Sequence, residues 1–162
     1  MLRKGIIELK RWEILHKQMR DIEDLLEELN AVDEHTQIEA KSIENQLGDS
    51  ILDTISAFSN EPGLGGGYII LGVSRRNNEY IASGVSNPDK IQNDLTTLCA
   101  AKFSTRILPQ IRVKELPGKK AVIAVFIKEQ EAQVKPVTFE KKKRNKKSFQ
   151  DKNSSIQKNR LC

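Results

Sequence analysis

Glu34, Glu39 and Lys41 lie close together in the stretch Glu34-His-Thr-Gln-Ile-Glu39-Ala-Lys41. On an extended strand alternate residues share a face, so Glu39 and Lys41 project together with Glu34 just upstream. Paired carboxylates can hold Mg2+ or Mn2+, and a lysine beside them can offset charge developing on a phosphate. That is the equipment of a metal-dependent phosphodiesterase. The same residues also make an ordinary solvated strand face with one Glu–Lys pair, and spacing alone favours this plainer reading.

A second candidate is the loop Pro62-Gly-Leu-Gly-Gly-Gly67. Glycines let backbone N–H groups approach an anion. A phosphate-cradling loop of the P-loop kind, however, runs from strand to helix and ends in Gly-Lys-Ser/Thr, so that a helix N-terminus faces the phosphate. This loop runs from helix to strand and no such lysine follows. It reads as a connector closing tightly over the sheet, with ATP binding the minor alternative.

His16 and His35 have no partners at metal-ligand spacing, so a zinc site is not expected. Cys99 falls on an apolar helical face and Cys162 is the last residue of the sequence. Two such cysteines make no disulfide framework, which points to a reducing cytoplasm. No Ser/His/Asp or Cys/His nucleophile arrangement is visible.

The elements that would position these groups follow from apolar periodicity. Trp12, Leu15, Met19, Ile22, Leu26 and Leu29 recur at spacings of 3, 4, 3, 4 and 3, a heptad stripe that predicts a helix over 6–30. The stripe either packs on its own domain, the favoured reading, or pairs with a second copy as a homodimer seam. Residues 36–41 read as a strand and 49–60 as a helix that Pro62 and Gly63 terminate. The apolar run Tyr68–Val73 reads as one strand buried on both faces. Arg75-Arg-Asn-Asn78 reads as a hairpin turn, with 79–82 returning antiparallel. Asn87-Pro88 is a helix start, with Asn as cap and Pro in the first turn. Residues 110–116 and 121–127 form a second hairpin, and 135–139 a last extended piece.

The 162-residue chain carries a net charge of +5, but the charge is unevenly divided. Residues 135–162 hold 10 Lys and Arg against 2 Asp and Glu, whereas residues 1–134 hold 17 against 20. The basic character therefore belongs to the end, and a global-charge argument for nucleic-acid binding concerns that segment alone. No apolar run is long enough to span a membrane.

Several of these pieces together resemble the Schlafen/AlbA-type DNA-binding domain: Glu39-Ala-Lys41, Ala57-Phe-Ser-Asn60, Gly65-Gly-Gly67 and Tyr68-Ile-Ile-Leu-Gly-Val73. Gly84-Val85, Asn87-Pro-Asp-Lys90, Pro109 and the 122–127 strand also fit, so the resemblance covers roughly residues 30–139. The family occurs in Schlafen proteins and at the front of predicted bacterial transcriptional regulators. Some Schlafen members are similar to RNA endonucleases with three acids. Glu34 and Glu39 match the first two, in the spacing Glu-x4-Glu-x-Lys. The third is expected just after the Gly-Val strand, where this sequence has Ser74-Arg-Arg-Asn-Asn78. Arginine in place of an acid suits phosphate contacts. A second departure begins at Glu140, where Lys-rich sequence stands in place of an Arg-rich strand. A frame slip in the coding sequence would produce such an end, and an intact motif in another frame near codon 140 would reveal it.

The expectation is an α+β fold: a small mixed or antiparallel sheet, with helices packed on it in two layers and a long N-terminal helix. Residues 1–30 form that amphipathic helix, 31–139 the Schlafen/AlbA-like domain, and 140–162 a basic tail read as disordered or peripheral. The expected function is non-catalytic nucleic-acid binding within a transcriptional regulator, DNA rather than RNA. Lys41, Arg75 and Arg76 would touch phosphates, and no cofactor or membrane would be involved. The alternatives are a metal-dependent RNA endonuclease using Glu34, Glu39 and Lys41 with Mg2+ or Mn2+, and a dimerising protein-interaction domain.

Overall fold

The computed structural model describes residues 19–141. Within them lie α1 (Ile22–Val32), β1 (Ile38–Lys41), α2 (Ser50–Asn60), β2 (Gly66–Leu71), β3 (Val73–Arg76), β4 (Glu79–Ala82), α3 (Pro88–Ala101), β5 (Gln110–Leu116) and β6 (Lys120–Lys128). The fold is α+β. A four-stranded mixed sheet has the order β1-β2-β6-β5, with β1 parallel to β2 and the other pairs antiparallel. β3 and β4 form a separate hairpin.

Alternation along β2 and β6 divides the core. Ile69, Leu71, Ile123, Val125 and Ile127 face α2 and α3, where they meet Ile51, Ile55, Phe58, Ile91, Leu95 and Cys99. Tyr68, Ile70, Val122 and Ala124 face the other way, against α1 and the hairpin. β2 is buried on both faces, as its continuous apolar run predicts.

α1 spans 11 residues, because Asp21 is extended and Met19–Asp21 are not helical. The Arg20 N–H donates to the Tyr68 hydroxyl at 2.9 Å, a tertiary bond that replaces the helical turn the heptad stripe predicts there. Asp21 and Glu23 pair with Arg112 and Lys114 of β5. Ile22 and Leu29 are buried against the chain's own sheet together with Leu25, and Met19 and Leu26 pack beside them, so the four described residues of the stripe pack on their own domain. Trp12, Leu15 and His16 lie outside the described residues.

Two further boundaries differ from the sequence reading. The run 68–73 is not one strand: Gly72 breaks it at φ +82°, where a Cβ would come within 3.0 Å of the Gly84 backbone. Arg75 and Arg76 belong to β3 rather than to a turn. The turn is Asn77-Asn78, both at positive φ (50° and 64°), the two-residue geometry that matches the twist of a hairpin.

Two asparagines tie helices to extended chain. Asn30 of α1 pairs its amide with both backbone groups of Tyr80. Asn60, at the end of α2, does the same with Val137, accepting at 2.7 Å and donating at 2.9 Å.

Candidate nucleic-acid interface

β1 is an edge strand, and its outward backbone would be free to pair with another chain. Glu34 blunts that edge: its Oε1 accepts the Ala40 N–H at 2.9 Å. Glu39 projects toward α2, accepting from the Thr54 hydroxyl on Oε2 (3.0 Å) and pairing with Lys41 through Oε1. Glu39 and Lys41 therefore share a face, as β alternation predicts. Glu34 is committed elsewhere, to the backbone of the strand edge.

Lys41 is the least accessible of the three predicted phosphate-binding cations, with a side chain 17% exposed. Its carbonyl accepts the Gly72 N–H at 3.0 Å, which fixes the end of β1 to the base of the β3–β4 hairpin. Arg75 projects from that hairpin over the Tyr80 ring, 5.3 Å from its centroid, and pairs with Asp33 at 2.9 Å. Both members of the pair are about half exposed, and a surface pair of this kind contributes only about 0–1 kcal/mol, so Arg75 can change partners at little cost. Arg76 faces the opposite side of β3, is exposed, and forms no ion pair among the described residues. The three cations are thus unequal: Arg76 open, Arg75 loosely held, Lys41 enclosed.

Asp33 and Tyr80, which orient Arg75, were not visible as a unit in the sequence. The Tyr80 hydroxyl donates to Asp33, which holds the Asp33 carboxyl below the usual carboxylate range, and Asp33 also accepts the Glu34 N–H. Burial, followed by that bond, raises the Tyr80 phenol.

The donor set does not fit a metal ion. Both oxygens of Glu39 and one of Glu34 are spent on protein partners, and β3 supplies arginines where a third acid would stand. Among the described residues no three of His, Cys, Asp and Glu gather as metal ligands. His35 instead pairs with Glu28 at 2.7 Å. Cys99 lies in the core, where burial pushes its thiol up to about 11.

The glycine loop does bind an anion, and the anion is internal. Gly63 and Gly65 donate their N–H groups to the Glu129 carboxylate at 3.1 and 2.9 Å, and Lys135 completes the ring at 2.8 Å. The remaining glycines are required by packing. A Cβ on Gly66 would stand 2.1 Å from the Ile127 carbonyl oxygen, and one on Gly67 2.6 Å from the Phe58 ring. Glu129 lies more than 60 residues from the loop, so no local pattern announces it. Among the described residues no helix is long and apolar enough to cross a membrane.

The sequence profile described as Schlafen, AlbA_2 matches residues 34–159. No curated protein matches the chain. Among solved structures, the chain is similar to the N-terminal domain of a RecG-related protein from Nitrosomonas europaea, titled as an ATP-dependent DNA helicase relative and solved by solution NMR. Identity is 35%, the TM-score is 0.65, and the match covers 88% of this chain and 95% of that one.

Proposed function

Since this chain belongs to the Schlafen AlbA_2 family, we propose that it is a non-catalytic nucleic-acid-binding module that engages DNA through the β3–β4 hairpin. The observation that carries this reading is the Arg75-Arg76 pair on β3, with Arg76 exposed and without an ion-pair partner among the described residues. Guanidinium groups bind phosphate oxygens in a bidentate fork, so two adjacent arginines on a rigid hairpin suit a backbone contact. The similarity to the N-terminal domain of a helicase-related protein supports DNA over RNA.

The contact reads phosphate, not sequence. Among the described residues no row of exposed aromatics offers a stacking platform. The basic residues after Lys141 add sequence-independent attraction, and regulation of transcription is the process such a module would serve. The nuclease alternative lacks a supporting observation, because Glu34 and Glu39 are engaged structurally.

Incubating the chain with labelled duplex DNA and with single-stranded RNA, each with Mg2+ or Mn2+, tests both halves of the proposal. The expected result is retention of DNA without cleavage of either. Metal-dependent RNA cleavage that vanishes in Glu39→Ala would replace the proposal with the nuclease reading.

A further inference from the structure

The four-stranded sheet has two edges, β1 and β5, and they are finished differently. At β1 the outward backbone is satisfied from within. Ile38 exchanges both of its bonds with His35, and the Glu34 carboxylate accepts the Ala40 N–H at 2.9 Å. At β5 the outward backbone is open. Ala121 exchanges both of its bonds with Val85, so it turns away from Glu115, its neighbour across the β5–β6 ladder. Alternation then points the N–H and C=O of Ile111, Val113 and Glu115 away from β6, along the edge. None of these groups has a hydrogen-bond partner among the described residues. Such a row is a template for another strand unless charged side chains guard it. The cations of β5 are drawn elsewhere, Arg112 to Asp21 and Lys114 to Glu23 at the start of α1.

We propose that β5 is the seam of a homodimer, in which two copies pair antiparallel about Val113 and join their sheets into one. Three observations commit the edge to a second copy. The first is symmetry. Pro109 and Pro117 stand at equal distances in sequence on either side of Val113. In the self-pair Val113 meets Val113 and Ile111 meets Glu115, so every outward N–H of the strand finds a carbonyl. Proline then falls opposite proline, and the ladder stops at the same point at both ends because neither has an N–H.

The second is charge. In this register Arg112 of one copy lies opposite Lys114 of the other, which would repel if both were bare. Each arrives with its own carboxylate, so the seam needs no anion from a foreign partner. The third is closure. With β1 satisfied internally, the four-stranded sheet of each copy has one open edge, and two such edges leave none. The assembly therefore ends at a twofold dimer rather than a filament. Val113, an exposed apolar side chain, lies on the twofold axis. This seam is separate from the heptad stripe, whose described residues pack on their own domain.

The inference does not rest on nucleic-acid binding, and its test contains no nucleic acid. Light scattering by the full-length chain, from micromolar to millimolar concentration, should show the mass rising from 18.4 kDa toward twice that value. Val113→Lys sets two like charges against each other on the axis and should hold the mass at the monomer value, with the denaturation midpoint unchanged. Over the same range, wild-type amide exchange should slow at Ile111, Val113 and Glu115 and stay constant at Ala40 on the opposite edge. A monomer at every concentration would overturn the proposal. So would a dimer that survives in Val113→Lys, or exchange along β5 that ignores concentration. Should Val113→Lys fail to fold, the wild-type mass and exchange profile decide by themselves.

Discussion

The Gly65 N–H donates to Glu129 at 2.9 Å, and with Gly63 it closes the glycine loop around a carboxylate carried by the end of the sheet. A backbone nest of this kind is an anion site, and here the protein fills it itself. The loop thus joins α2, β2 and the segment after β6 into one corner. This relationship takes the loop out of the nucleotide-binding reading and gives it a structural role.

The nest makes the corner pH-dependent. Hydrogen bonds from Lys135, Gly65 and Gly63 lower the Glu129 carboxyl from 4.5 to about 2. A carboxyl whose pKa is depressed on folding contributes stability that is complete above its unfolded value and lost as pH falls through the folded one. The Gly65 amide resonance should therefore titrate with a midpoint near 2, not near 4.5. Glu129→Gln should accelerate amide exchange at Gly63 and Gly65, because a neutral acceptor binds these donors less strongly.

Gly67 is specified by the Phe58 ring. Gly67→Ala should destabilise the domain by about 1–3 kcal/mol, the usual cost of overpacking a filled core. Phe58→Leu should restore part of that loss. Chemical denaturation of the two single variants and the double would show the coupling, whereas additive losses would mean that the contact is not the cause.

Asn60→Ala removes two direct bonds to Val137 and leaves a buried backbone N–H without its acceptor. At about 1 kcal/mol per bond plus the cost of an orphaned group, the expected loss is roughly 2–4 kcal/mol. Exchange at the Val137 amide should rise more than at Ile123 in the central strand. Uniform acceleration across both would indicate global unfolding rather than local release.

Periodicity made much of this architecture legible. The continuous apolar run in β2 predicts burial on both faces, and Asn87-Pro88 begins α3 with the Asn87 side chain accepting the Lys90 N–H. What escaped the sequence was set by distant contacts. α1 starts at Ile22 because Arg20 is held by Tyr68, 48 residues away. Gly72 divides an apolar run because the Gly84 backbone crosses it. At the candidate site, alternation placed Glu39 and Lys41 together, but it could not show that Glu34 turns to the Ala40 amide or that Asp33 and Tyr80 hold Arg75. Local pattern reports which face a residue occupies and carries no record of who meets it there.

The most direct test of the hairpin as the DNA contact is the salt dependence of duplex binding by the full-length chain. Three proteins are compared: the wild type, Arg75→Ala/Arg76→Ala, and a variant with Lys142, Lys143, Lys146 and Lys147 changed to Gln. Each phosphate contact removed lowers the slope of log affinity against log salt by about 1. The account predicts weaker binding and a slope reduced by about 1–2 in the arginine variant, with salt-sensitive binding still present in the lysine variant. Unchanged binding in the arginine variant, together with its loss in the lysine variant, would contradict the account and assign the affinity to the basic end of the chain alone.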